Sequence, residues 1–206
     1  MTAWGLMAFL SLGIAATSFR YLLPHIPQLP PDVAKNLMRH PWLVVHAGLA
    51  SVALIVGPIQ LVPKLRAARP RLHRWLGRIY VFACLVAGVA GLLLAWGTNA
   101  GPVAQLGFGT LAVCWIVCTA QALRLAMARR IVEHRRWMIR SFALTFAAVT
   151  LRLYLPIAPI FGFPFMEAYR IISWMAWVPN LIVAELYLRR AGPTRITFAH
   201  ATGTRT

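Results

Sequence analysis

His73 and His134 each stand beside arginines where an apolar run begins, in His73-Arg74-Trp75 and His134-Arg135-Arg136-Trp137. Two imidazoles at one depth on neighbouring helices are what a bis-histidine b-type haem requires. Arginines beside them would suit its propionates. On this reading His73 and His134 ligate the haem iron. The other reading is interfacial: histidine and arginine also sit naturally where a helix leaves a membrane. His46 lies one turn inside another apolar run and has no histidine at its own depth within a helix. Only His25 and His40 stand nearby, so a second haem looks incomplete. A quinone or lipid site is a further option.

A second group is polar and deep. Arg152, Asn180, Glu185 and Gln60 fall inside apolar segments, where a polar residue is costly and reads as functional by default. At a rise of ~1.5 Å per residue, Arg152 is about 18 Å from Arg140. Counted back from Arg189, Asn180 is about 13 Å deep and Glu185 about 6 Å. Glu185 therefore falls near the level of His134, Arg136 and Arg140, where an ion pair can form. Arg152 falls nearer Asn180. Its acceptors would be Asn180, carbonyls released near Pro156 or Pro179, or a bound anion. A structural network that fixes helix packing explains the same residues.

These side chains need long apolar helices to place them. The chain has 206 residues, 60% of them hydrophobic and 12% charged, with a mean hydropathy of +0.68. A soluble domain carries about 25% charged residues. The composition excludes disorder and points to an integral membrane protein. Six apolar segments can be drawn, about 3–23, 42–63, 75–96, 103–128, 138–160 and 169–188. The first lacks a basic leader and reads as a retained helix. The expected fold is all-α: one transmembrane domain of six helices over residues 1–192, with a polar cytoplasmic tail over 193–206.

The net charge is +17, from 21 Lys and Arg against four acids. The basic residues are bunched. Lys64, Arg66, Arg69, Arg71, Arg74 and Arg78 lie between segments two and three, and Arg124, Arg129, Arg130, Arg135, Arg136 and Arg140 between four and five. Arg189, Arg190, Arg195 and Arg205 follow segment six. The connection 97–102 has none, and the one between five and six has only Arg170 at its edge. Lys35 and Arg39, with Arg20 near its start, are the basic residues of the first connection. The alternation predicts that both termini and the basic loops face the cytoplasm. It also predicts attraction to anionic lipid headgroups, about 1 kcal/mol per residue near the surface. No nucleic-acid partner is expected. The proline-rich stretch 24–41 reads as an extended outer cap.

Other signals are plainer. Cys84, Cys114 and Cys118 lie in apolar runs without zinc or redox spacing and read as apolar fillers. Trp42, Trp75, Trp96, Trp137, Trp174 and Trp177 fall mostly near segment ends, as in the aromatic belts of membrane proteins. Gly88, Gly91, Gly107 and Gly109 allow close helix packing. The two His-Arg motifs form a faint internal echo. Duplication of a helical hairpin is one origin; the crowding of basic and aromatic residues at helix starts is the other. Walker, HExxH, GxSxG and dinucleotide signatures are missing, and four acids leave little for paired-carboxylate catalysis.

The motifs together resemble a known family. His46, Gly57-Pro58, Gln60 and the run His73-Arg74-Trp75-Leu76-Gly77-Arg78-Ile79-Tyr80 belong to the likeness. So do His134-Arg135-Arg136-Trp137-Met138-Ile139-Arg140-Ser141, Arg152, and Trp177-Val178-Pro179-Asn180 followed by Glu185. They resemble a bacterial family of multi-pass membrane proteins filed as domain of unknown function 2306, over roughly residues 40–188. The resemblance implies a polytopic protein of the bacterial inner membrane and brings no activity with it. It gathers His46, Gln60, His73, Arg78, His134, Arg140, Arg152, Asn180 and Glu185 as a candidate site. In the cofactor reading His46, Arg78 and Arg140 join the two motif histidines. A looser similarity to cytochrome b561-like bundles lacks that group's paired intramembrane histidines on both sides. Two expectations follow: a redox-associated protein with a b-type haem or quinone on the cytoplasmic side, or a non-enzymatic transport, lipid-binding or membrane-complex assembly protein, with lipid or another membrane protein as partner.

Overall fold

Helices account for nearly all of the computed structural model, which describes residues 2–19 and 41–191. They are α1 (Thr2–Ser18), α2 (Pro41–Gln60), α3 (Pro63–Ala68), α4 (Pro70–Trp96), α5 (Pro102–Met127), α6 (Ile131–Thr145), α7 (Ala147–Ile160), α8 (Phe165–Met175) and α9 (Val178–Arg190). Four of them open on proline, whose fixed φ and missing N–H suit a helix start. The polar tail, the charged residues of the first connection, His25 and His40 lie outside the described residues. Of the proline-rich stretch only Pro41 is described, and it opens α2.

Among the described residues five helical stretches are long and apolar enough to cross a membrane: α2, α4, α5, α6 with α7, and α8 with α9. The first segment is helical over 17 residues, about 25 Å at 1.5 Å per residue and short of a ~30 Å hydrocarbon core. It still packs on α2 and touches α7. Ser11, Ala15 and Ser18 are buried on α1, and Ala47 and Ser51 on α2; small residues let two helices approach closely. The Trp4 indole donates to the Pro58 carbonyl at 3.4 Å, so α1 runs antiparallel to α2.

Neighbours in sequence are neighbours in space along α2, α4, α5 and α6, while α8 packs on α5 and α7, and α9 on α6. The shared core includes Val56, Tyr80, Cys84, Trp115, Phe142 and Trp177. Many large apolar residues point outward, with Phe9 72% and Phe82 62% exposed. In a membrane protein that surface meets lipid.

Three boundaries differ from the sequence expectation. The basic residues around 64–78 and 124–140 are largely helical: α4 begins at Pro70 and α6 at Ile131. A helix of 27 residues is about 40 Å long, so its charged first turns project beyond the apolar layer. The fifth span is interrupted at Phe146 and not at its prolines. There the Val149 and Thr150 N–H groups both turn to the Phe146 carbonyl, at 2.9 and 3.2 Å. The sixth is interrupted at Ala176–Trp177, where Trp177 has φ −128° and ψ −32°. Pro179 has no N–H to offer Met175, so the ladder cannot run through.

Candidate functional site

Polar side chains gather at three levels of the bundle. At the basic end, α3 supplies Arg66, α4 His73, and α6 His134 and Arg135. Each of these four is an electrostatic neighbour of the other three. Of the described carboxylates on this side, Glu133 is taken by Arg130 in an exposed pair, and Glu185 by Arg140. Burial, and then the nearby Arg135, push the Arg66 guanidinium below its ordinary pKa, although an arginine stays charged. His134 Nδ1 donates to the Ala122 carbonyl at 2.8 Å, which leaves Nε2 as the acceptor or ligand atom of a neutral ring. Gln60 is 6% exposed and its Nε2 has no hydrogen-bond partner. Its Oε1 lies 3.5 Å from where a Cβ on Gly77 would stand, and Gly77 is one turn from His73 on the same face of α4.

Beside this group Arg140 grips Glu185 with two hydrogen bonds, Nε to Oε1 at 2.5 Å and Nη2 to Oε2 at 3.0 Å. Its guanidinium lies 4.8 Å from the Trp137 ring centre, a cation–π distance. Arg78 stays exposed on α4.

The middle level is a cluster of hydroxyls that the sequence reading missed as a site. Tyr80 Oη meets Thr145 Oγ1 at 2.8 Å and Ser141 Oγ at 3.2 Å. Thr119 Oγ1 meets Ser141 Oγ at 2.7 Å, and Trp115 Nε1 donates to Thr145 Oγ1 at 2.9 Å. All five residues are buried. Their proton order follows from counting. The Thr145 hydroxyl donates to the Ser141 carbonyl at 2.9 Å, and each hydroxyl has one proton. Tyr80 must therefore donate to Thr145, Ser141 to Tyr80, and Thr119 to Ser141. The chain ends on a carbonyl, so these hydroxyls form a closed clasp between α4, α5 and α6. Tyr80 and Ser141 each end one of the quoted motifs, which was the available signal. Gly57 lies against this level. A Cβ there would overlap the Phe142 ring and approach Tyr80 to 3.3 Å.

The third level lies toward the opposite end. His46 Nδ1 donates to the Ala87 carbonyl at 2.8 Å, and its ring meets Trp115 edge-on with centroids 6.5 Å apart. A Cβ on Gly91 would stand 2.9 Å from His46 Nδ1, so only glycine leaves room for the ring. Arg152 lies within electrostatic range of His46 and donates to the Ala148 carbonyl at 3.1 Å. Asn180 joins the two interrupted spans. Its Nδ2 donates to Thr150 Oγ1 at 2.9 Å and to the Ala176 carbonyl at 3.0 Å. The structure thus gathers His73 with His134, pairs Arg140 with Glu185, and keeps His46 with Arg152 apart from both.

The cavities are shallow. One, of about 300 Å³, is an apolar groove beside Trp42, Val45 and Val89; another, of about 310 Å³, lies by Glu185 and Arg189. Among the described residues no three His, Cys, Asp or Glu side chains gather as a metal-binding group. His73 and His134 are thus a two-histidine arrangement only.

The long apolar spans and the charge-capped bundle define a multi-pass membrane protein. A family model described as predicted membrane protein, DUF2306, matches residues 43–188, and the chain belongs to that family. No curated protein and no solved structure matches it.

Proposed function

We propose that this protein binds an anionic ligand of the membrane, a phosphate-bearing lipid headgroup, at its basic end. One observation carries the reading: Arg66, His73, His134 and Arg135 come from three helices into mutual electrostatic range, while the described acids Glu133 and Glu185 are engaged by Arg130 and Arg140. Like charges so placed repel, and a bound anion removes the repulsion. The buried Gln60 amide adds a donor one turn from His73. The positive-inside rule favours a cytoplasmic face for this end, and at a bacterial inner membrane anionic headgroups would be at hand there.

The test is native mass spectrometry of the full chain released from nanodiscs of mixed phosphatidylglycerol and phosphatidylcholine. Retained phosphatidylglycerol, lost in an Arg66→Gln/Arg135→Gln double variant, is the expected result. Equal retention of both lipids by both proteins overturns the reading.

A b-type haem is the second reading, favoured by the His134 tautomer. With Nδ1–H held by Ala122, Nε2 is oriented as second-shell bonds orient metal-bound histidines. His73 would be the other ligand, and Arg66 and Arg135 would face the propionates. When bound, haem would supply one-electron redox chemistry. A dithionite-reduced absorption spectrum of protein made with ample haem decides it: an α-band that disappears in His134→Ala supports it, and a colourless protein ends it.

A further inference from the structure

Contacts between α4 and α6 recur at a fixed interval. Tyr80 meets Ser141, and one turn on Cys84 Sγ lies 4.0 Å from Thr145 Oγ1; the members of both pairs are 61 residues apart. The same interval separates the starts of α2 and α5, Pro41 and Pro102, and of α4 and α6, Pro70 and Ile131. Helices α4 and α6–α7 therefore run parallel and in step, and equivalent residues face each other across the bundle. The next equivalent pair, one turn further from the basic end, is Ala87 and Ala148. Each offers its carbonyl to a side chain of the third level: His46 Nδ1 donates to Ala87 and Arg152 Nη1 to Ala148. The imidazole and the guanidinium are thus tethered at one height on opposite walls, within electrostatic range of each other. Trp115 of α5 stands beside them, its ring edge-on to His46 and its indole N–H tied to Thr145 of the hydroxyl level.

The two groups ask for different things. With Nδ1 as the donor, His46 Nε2 is an acceptor, whereas a guanidinium has five N–H donors and no acceptor. A fitting ligand carries a hydroxyl at one end and an oxygen acceptor at the other. His46 stands about 8 Å along α2 from Pro41 at ~1.5 Å per residue, inside the apolar layer. A carboxylate would carry its charge into that layer, at a cost, and its oxygens share one carbon, so they serve one wall. We infer that this level binds a hydroquinone: one hydroxyl donates to His46 Nε2, and the oxygen across the ring accepts from Arg152. The oxidised quinone has no hydroxyl. It satisfies Arg152 and offers His46 Nε2 nothing, so the site should prefer the reduced form. It is independent of the ligand proposed at the basic end.

The experiment is a thermal-unfolding titration of the full chain in a neutral detergent under argon, followed by light scattering. The probes are decylubiquinol, decylubiquinone and decanoic acid. The quinol should reach half-maximal stabilisation about tenfold below the quinone, the worth of one hydrogen bond to a buried acceptor. His46→Asn keeps a donor for Ala87 but has no Nε2, and should bring the quinol midpoint up to that of the quinone. Arg152→Gln should weaken both forms and leave their ratio, while Arg190→Gln, exposed at the end of α9, should move neither. Equal midpoints for quinol and quinone in the native protein overturn the inference with no variant needed. Tightest binding of decanoic acid overturns it in favour of a carboxylate, and no response to any probe overturns it outright. A quinol preference that survives His46→Asn takes His46 out of the site and overturns the assignment as well.

Discussion

The basic end and the hydroxyl level lie next to each other in the bundle and are built on opposite terms. At the hydroxyl level, counting protons fills the Tyr80 and Thr145 hydroxyls: each donates once, and each accepts from a neighbour. The Ser141 hydroxyl is filled in the same way by Thr119 and Tyr80. At the basic end, Arg66 and Arg135 both act on His73 and on His134, and all four groups are cationic or ionisable. A saturated network has nothing left to offer a ligand and serves the fold. An excess of donors of one sign costs stability until something is bound. The difference separates residues that hold the bundle together from residues that, on the proposed reading, take a ligand.

The largest expected effect belongs to the packing under the hydroxyl level. Gly57→Ala drives a methyl into the Phe142 ring, which is 5% exposed and closely surrounded. Overpacking of this kind costs about 1–3 kcal/mol or more, and thermal unfolding in detergent should show a clear fall. A wild-type melting temperature would mean that α2 shifts freely on α6.

Next comes Tyr80→Phe. It removes the donor to Thr145 and the acceptor of Ser141, and strands Ser141's proton in the core. The expected loss is about 1–3 kcal/mol, with anion binding unchanged. If lipid retention falls along with stability, the two levels are not independent and the comparison breaks.

Arg66→Gln should move stability the other way. Removing one of several like charges relieves repulsion, and screening at this half-exposed place keeps the gain to about 0.5 kcal/mol. Lower stability in neutral detergent would show that Arg66 is structural. Added anionic lipid should stabilise the native protein more than this variant, so the two should converge as lipid is titrated.

The smallest effect is expected at Arg140→Gln. Its pair with Glu185 is two-pronged, but the Glu185 side chain is 35% exposed. Such pairs contribute up to about 1 kcal/mol, and less in salt. A salt-insensitive loss above that range would place this ion pair with the structural core.

Much of the arrangement was legible from depth alone. Counting residues from a helix end brought Glu185 to the level of Arg140, and set His73 level with His134. These inferences work because rise per residue is constant and charges stay near the membrane edge. The hydroxyl level was not legible. Serine and threonine are common in transmembrane helices, where they often bond to their own backbone as Ser51 does to Ala47, so their types carry little signal. The interruption at Phe146 has no glycine or proline to mark it. That at Trp177 is foreshadowed by Pro179, while Pro156 and Pro159 lie in the last turns of α7, which ends at Ile160. Arg152 was expected nearer Asn180 in depth than Glu185. Asn180 holds Thr150, two residues from Arg152, and the Ala176 carbonyl, while Arg152 lies within electrostatic range of His46.

The order of protons in the clasp has an electrical meaning. Thr119, Ser141, Tyr80 and Thr145 pass their O–H bonds in one sense and end on a carbonyl that can only accept. Reversal would leave that carbonyl facing an oxygen with no hydrogen between them, so the alternative order is closed off. The bundle core therefore contains an oriented row of dipoles fixed by bonding, in a medium of low dielectric where such fields are weakly screened. Between two levels that hold arginine, this neutral layer gives the protein a built-in polarity that its formal charges do not record.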